Sequence, residues 1–129
     1  MTHIGAPAPL RILIVDDNDA VRESLGLCLE TMGYDVDYAR DGHSALAAIA
    51  RLEPEAVVTD LQMPGMNGLE LLRELAIRNR GLPVIAISGG NPDMLESARQ
   101  LGAVETFSKP VMDDDLASAI ERFCAARHA

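Results

Sequence analysis

Two kinds of apolar pattern alternate along the chain. Short runs rich in β-branched residues predict five buried strands: Arg11-Ile12-Leu13-Ile14-Val15, Tyr34-Asp35-Val36-Asp37-Tyr38, Ala56-Val57-Val58-Thr59, Pro83-Val84-Ile85-Ala86-Ile87 and Val104-Glu105-Thr106-Phe107. Between them, apolar residues recur at three- and four-residue steps, the spacing of one face of a helix. Val21, Leu25, Cys28, Leu29 and Met32 mark the first such face, with Gly33 as its C-terminal stop. Asp41-Gly42 opens a second helix carrying Leu46, Ile49 and Leu52, and Leu69, Leu72 and Leu75 stripe a third. Met94, Ala98 and Leu101 stripe a fourth that ends at Gly102, and Leu116, Ile120 and Phe123 stripe the last. Strict alternation of strand and helix predicts an α/β fold, a parallel sheet with helices on both faces and right-handed crossovers. Periodicity leaves the strand order open.

The 129 residues fit one domain, and 48% apolar with 24% charged residues excludes wholesale disorder. Residues 1–9, rich in Pro, Ala and Gly, read as a loose tail before a single domain over 10–127. A net charge of −9 argues against direct grip on nucleic acid or an anionic membrane. With 3% aromatic residues and no Trp, stacking platforms are also poor fits, and the core must be aliphatic. Cys28 and Cys124 lie far apart within apolar patterns and read as small buried hydrophobes. His3, His43 and His128 are scattered without metal-ligand spacing. The N-terminus lacks a basic leader, and the apolar runs are far short of the roughly 20 residues a membrane span requires, so a soluble, cytoplasmic protein is expected.

In an open α/β sheet, ligands bind beyond the carboxyl ends of the strands. The first strand ends in Asp16-Asp17, the third in Asp60, the fourth in Ser88-Gly89-Gly90 and the fifth in Lys109-Pro110. Each alone reads as a turn, a cap or surface decoration. Together they bring three carboxylates, a hydroxyl and an ammonium to one edge, a set suited to phosphoryl transfer with a hard divalent cation. Mg2+ takes oxygen ligands and is held by one or two carboxylates plus a phosphate. Two acids can ligate it while Asp60 acts as nucleophile. Unit charges 4 Å apart repel by about 4 kcal/mol at an effective dielectric of 20, a strain that Mg2+ and Lys109 would relieve. Ser88 can donate to a phosphoryl oxygen, and Gly89 is expected to leave room for its approach. Asp113-Asp114-Asp115 reads as the acidic first turn of a helix, Met63 and Met66 as packing and turn residues, and Pro64-Gly65 as a forced turn. Ser88-Gly89-Gly90 lacks the pattern of a phosphate-cradling loop.

Over roughly residues 10–125, these motifs resemble the receiver domain of two-component response regulators. The resemblance rests on Ile14-Val15-Asp16-Asp17-Asn18, Asp60-Leu61-Gln62-Met63-Pro64-Gly65-Met66-Asn67-Gly68, Ser88 and Lys109-Pro110. It implies a flavodoxin-like sheet of order 2-1-3-4-5. It also implies that Asp60 is the phosphoacceptor for a partner kinase's histidine. Asp16, Asp17 and the backbone carbonyl of Gln62 would hold Mg2+ with Asp60, Ser88 would be the switch hydroxyl and Lys109 the ion-pairing lysine. The bond before Pro110 is typically cis in this family. One position departs: where the family often has an inward-turning Tyr or Phe, this chain has Thr106, and Phe107 belongs to the opposite strand face. The usual aromatic coupling is therefore expected to be weak here.

The expected function is a phosphorylation-biased signalling module that phosphorylates itself, slowly loses the phosphoryl group, and acts through a downstream protein or a phosphorelay. Its partner would be a histidine kinase or phosphotransfer protein, and the chain a stand-alone regulator or a receiver from a longer one. A Mg2+-dependent phosphohydrolase fits less well, because its two acids are usually separated by one residue and joined by a cap domain. A phosphorylation-independent binding module would not need the complete acidic set.

Overall fold

A computed structural model describes residues 9–90 and 92–128, so nearly all of the expected tail over 1–9 lies outside the described residues. Five strands alternate with five helices: β1 (Arg11–Val15), α1 (Asp19–Thr31), β2 (Asp35–Ala39), α2 (Gly42–Leu52), β3 (Ala56–Asp60), α3 (Gly68–Arg78), β4 (Val84–Ser88), α4 (Pro92–Gln100), β5 (Glu105–Ser108) and α5 (Asp113–His128). All strand pairs are parallel, in the order β2-β1-β3-β4-β5. The order reverses direction at β1, which pairs with β2 on one side and β3 on the other. The carboxyl ends of β1 and β3 thus flank the switch point where such sheets open a crevice.

Side-chain alternation splits the core into two layers. Leu13, Val15, Val57 and Ala86 pack with Ala45, Ile49, Leu71, Leu72, Leu75 and Ala98 under α2, α3 and α4. Ile12, Ile14, Val58, Ile85 and Ile87 pack with Leu29, Leu116, Ile120 and Cys124 under α1 and α5. Burial on both faces is why β1, β3 and β4 read as continuous apolar runs rather than alternating ones.

Local chemistry sets the element boundaries. Asn18, Asp41 and Asn67 cap α1, α2 and α3 through their side chains, and Asn67 forms a reciprocal capping box with Glu70. After α1, the Gly33 N–H donates to the Glu30 carbonyl and the Tyr34 N–H to Leu29, with Gly33 at a positive φ of 96°. This closure uses Tyr34 as the end of the helix, so β2 begins at Asp35, one residue later than the apolar run predicts. Asp60 and Ser88 are likewise the last residues of β3 and β4 rather than the residues after them. Two expectations for apolar positions are corrected. Met32, at the end of the α1 stripe, is exposed, and Cys28 is only partly buried, while Cys124 is fully buried. No helix among the described residues is long and apolar enough to cross a membrane.

Candidate functional site

The site is assembled at the end of β1. The Asp16 N–H extends the strand ladder by donating to the Ala39 carbonyl at 3.1 Å, and its carboxylate accepts from the Asn18 N–H at 2.9 Å. Asp16 is 2% exposed, whereas the next residue, Asp17, faces solvent. At the end of β3, the Asp60 carboxylate accepts from the Leu61 N–H at 2.9 Å and from the backbone N–H of Gln62. Gly68 starts α3 directly against this strand end: a Cβ there would lie 2.4 Å from the Asp60 carbonyl oxygen, a separation no side chain tolerates.

Lys109 ties the two strand ends together. Its Nζ lies 3.2 Å from Asp16 Oδ2 and 3.5 Å from Asp60 Oδ1. Carboxylate oxygens of Asp16, Asp17 and Asp60 all fall within 4.8 Å of one another. One ammonium against three carboxylates leaves a surplus of negative charge that a divalent cation would balance. The donors are hard oxygens at an open, partly wet edge, which suits Mg2+ or Ca2+ rather than a thiolate-seeking metal. This acid cluster could hold a metal ion. Burial is the largest influence on Asp60 and pushes its carboxyl above the usual value of 3.8. The Lys109 charge and the two backbone N–H groups pull it down, the Asp16 charge pushes it up, and the balance remains upward.

Ser88 closes the other side. Asp60 pairs with Ile87 in the sheet register, which places Ser88 one residue further along the neighbouring strand. Ser88 is 1% exposed, its hydroxyl oxygen accepts from the Gly90 N–H at 3.1 Å, and its carbonyl accepts from the Lys109 N–H at 3.0 Å. The Lys109–Pro110 peptide is cis. Thr106, on β5, lies outside the cluster and is paired with Ala86 of β4. Its hydroxyl accepts from Arg99 of α4 at 2.6 Å, while Phe107 packs into the core layer under α1 and α5.

A Cβ on Gly89 would meet Lys109 carbons at an ordinary 3.6 Å, so its protein neighbours do not require glycine there. A Cβ on Gly90 would lie 2.7 Å from the side-chain amide nitrogen of exposed Gln62, the flexible tip of a side chain that can move aside. Sequence reasoning also passed over Arg22, whose guanidinium donates to the Asp16 carbonyl at 2.8 Å. Its position five residues after the acid pair, at the start of a helix, was the available signal. Met63 and Met66 take packing roles, Met63 in the core and Met66 over Gly42, and Asp113, Asp114 and Asp115 form the first turn of α5.

Comparison with known proteins agrees with this geometry. A family model described as "Response regulator receiver domain" matches residues 12–121. The chain is 38% identical over 115 residues to the transcriptional regulatory protein FixJ of Azorhizobium caulinodans, covering 88% of this chain and 54% of that protein. It therefore spans about half the length of that relative. It is 32% identical over 114 residues to sporulation initiation phosphotransferase F of Bacillus subtilis, covering 88% of this chain and 92% of that one. Among solved structures, a response regulator receiver domain protein from Clostridium thermocellum superposes with a TM-score of 0.88 at 29% identity, covering 92% of this chain and 97% of that one. With the β2-β1-β3-β4-β5 order shared by flavodoxin-like receivers and an acid cluster at its switch point, the chain belongs to the response regulator receiver domain family of two-component signalling.

Proposed function

We propose that Asp60 accepts a phosphoryl group from a phosphohistidine of a partner kinase or phosphotransfer protein. A P–O bond forms at the Asp60 carboxylate as the P–N bond of the donor breaks, and the imidazole nitrogen leaves with the electron pair. The observation that carries this reading is Lys109 Nζ bridging Asp16 and Asp60, with the Asp17 carboxylate within reach of both acids. Asp16, Asp17, Asp60 and the Gln62 backbone carbonyl would hold Mg2+. When bound, Mg2+ supplies neutralisation of the transferring phosphoryl oxygens and a template for their alignment.

The remaining work falls to this chain's residues. Backbone N–H groups of Leu61 and Gln62 orient the Asp60 carboxylate. Lys109 offsets charge on both carboxylates and on the acquired phosphoryl group. The Ser88 hydroxyl donates to a phosphoryl oxygen, which biases the equilibrium between two arrangements of the surface around α4, β5 and α5. A groove of about 520 Å³ lined by Val21, Leu25, Ile87, Lys109, Pro110 and Val111 adjoins the acids through Lys109 and supports docking of the phosphodonor beside Asp60. In this reading residues 10–127 act as one receiver unit in the cytoplasm. Slow hydrolysis of the Asp60 phosphate ends the signal, and output passes to a downstream protein without direct contact to nucleic acid or membrane.

Acetyl phosphate with Mg2+ tests the reading. Intact mass should rise by one phosphoryl group, peptide mapping should place it on Asp60, and excess EDTA should abolish it. Labelling that persists in EDTA would refute the metal assignment, and steady turnover of phosphomonoesters without a labelled protein would favour a phosphohydrolase.

A further inference from the structure

Asp17 is the exposed member of the acid pair, and its aim depends on the peptide unit that joins it to Asp16. That unit is planar, so the direction of the Asp16 carbonyl sets the plane from which the Asp17 backbone departs. The Asp16 N–H is fixed by the Ala39 carbonyl, and the Asp16 carbonyl is held from the other side by Arg22 of α1. Arg22 Nη1 donates to this oxygen at 2.8 Å, while Nη2 pairs with the Asp19 carboxylate at 2.5 Å. The Arg22 side chain is 17% exposed. A guanidinium is a rigid planar fork, so seating both arms fixes the Asp16 carbonyl relative to the first turn of α1. Lysine carries the same charge on one compact ammonium with rotatable donors, and lacks the rigid planar fork that fits these two acceptors.

We propose that Arg22 is a positioning residue for the acid pair, locking the Asp16–Asp17 peptide so that both carboxylates face the cation site. The proposal rests on the reading of Asp16 and Asp17 as Mg2+ ligands. Arg22 makes no contact with the cation; it acts through the backbone. Removing such support around a metal ligand typically lowers affinity by about 10–100-fold. The lower end is expected here, because the three carboxylates themselves remain.

Mg2+ titration followed by amide chemical shifts of the intact chain gives the test. Arg22→Ala should weaken Mg2+ binding by about tenfold, while labelling by acetyl phosphate recovers once Mg2+ is raised to saturation. Arg22→Lys should behave like Arg22→Ala, since charge is kept and the fork is lost. Arg78→Ala removes the same charge from α3 and should bind Mg2+ as wild type does. Wild-type affinity in Arg22→Ala or in Arg22→Lys overturns the proposal, as does an equal loss in Arg78→Ala, which would make the effect non-local, since removing a positive charge by itself favours cation binding. Absence of Mg2+ binding by wild type would instead sink the metal reading beneath it, and this proposal with it. The amide spectrum reports folding of each variant, and Arg22→Lys keeps the test open if Arg22→Ala does not fold.

Discussion

Asp60 is buried, and burial works against the ionised form that the proposed attack on phosphorus needs. Its carboxyl therefore sits above 3.8 in the folded protein, with burial as the leading cause. Between the unfolded and folded values the native state binds more protons, so this group's contribution to stability is present at low pH and lost as pH rises through that window. At neutral pH the metal-free wild type carries the whole penalty. Asp60→Asn should melt higher than wild type at pH 7 without Mg2+, and the gap should close as pH falls towards the ordinary carboxylate range. A gap that is independent of pH would contradict the cause assigned here. At this scale the sequence pointed to Asp16, Asp17, Asp60, Ser88 and Lys109 because each stands at the end of an apolar run. Arg22 was hidden because a lone arginine on a helix three residues from Asp19 also fits an ordinary surface pair. Gly68 and the Gly90–Gln62 contact were hidden because a close approach is a property of packing, not of spacing.

Among the elements, α3 has the strictest requirement. Its first residue is wedged against the end of β3, so Gly68→Ala forces a Cβ onto the Asp60 carbonyl and the Leu61 backbone. Such overpacking costs about 1–3 kcal/mol, and urea denaturation should show a loss of that size together with slower labelling of Asp60. The tie between α4 and β5 is of another kind. Thr106 lacks the aromatic ring that the receiver resemblance leads one to look for at this position, and its own hydroxyl is engaged by Arg99. Arg99→Ala removes a charge-assisted bond at the surface worth about 1 kcal/mol, which should raise hydrogen exchange of the α4 amides roughly fivefold while leaving Asp60 labelling intact. The bond itself was not legible in the sequence, which gave only the missing aromatic. Element type and order were legible throughout, because two-sided burial writes continuous apolar strands and one-sided burial writes helical stripes. Boundaries moved by one residue where caps consumed a backbone group, as Tyr34 does after α1.

For the molecule as a whole, the strand order did not follow from periodicity, which records which face is buried but not which strand lies beside which. It followed from the receiver resemblance, and the pairing of β1 with both β2 and β3 brings Asp16 and Asp60 to one crevice. Because the acids converge only in the folded chain, a cation that binds them stabilises the fold. Mg2+ at 100 times its dissociation constant should add about 2.7 kcal/mol to the unfolding free energy, and Asp17→Ala should lose most of that increment. Equal stabilisation of wild type and Asp17→Ala by Mg2+ would place the cation elsewhere. An acyl phosphate on Asp60 can be trapped by borohydride reduction, which converts a phosphorylated aspartate to homoserine. After acetyl phosphate and Mg2+, sequencing of the reduced protein should find homoserine at position 60 and at no other position, with none in Asp60→Asn. Homoserine at another aspartate, or an undiminished yield in Asp60→Asn, would rule out Asp60 as the acceptor.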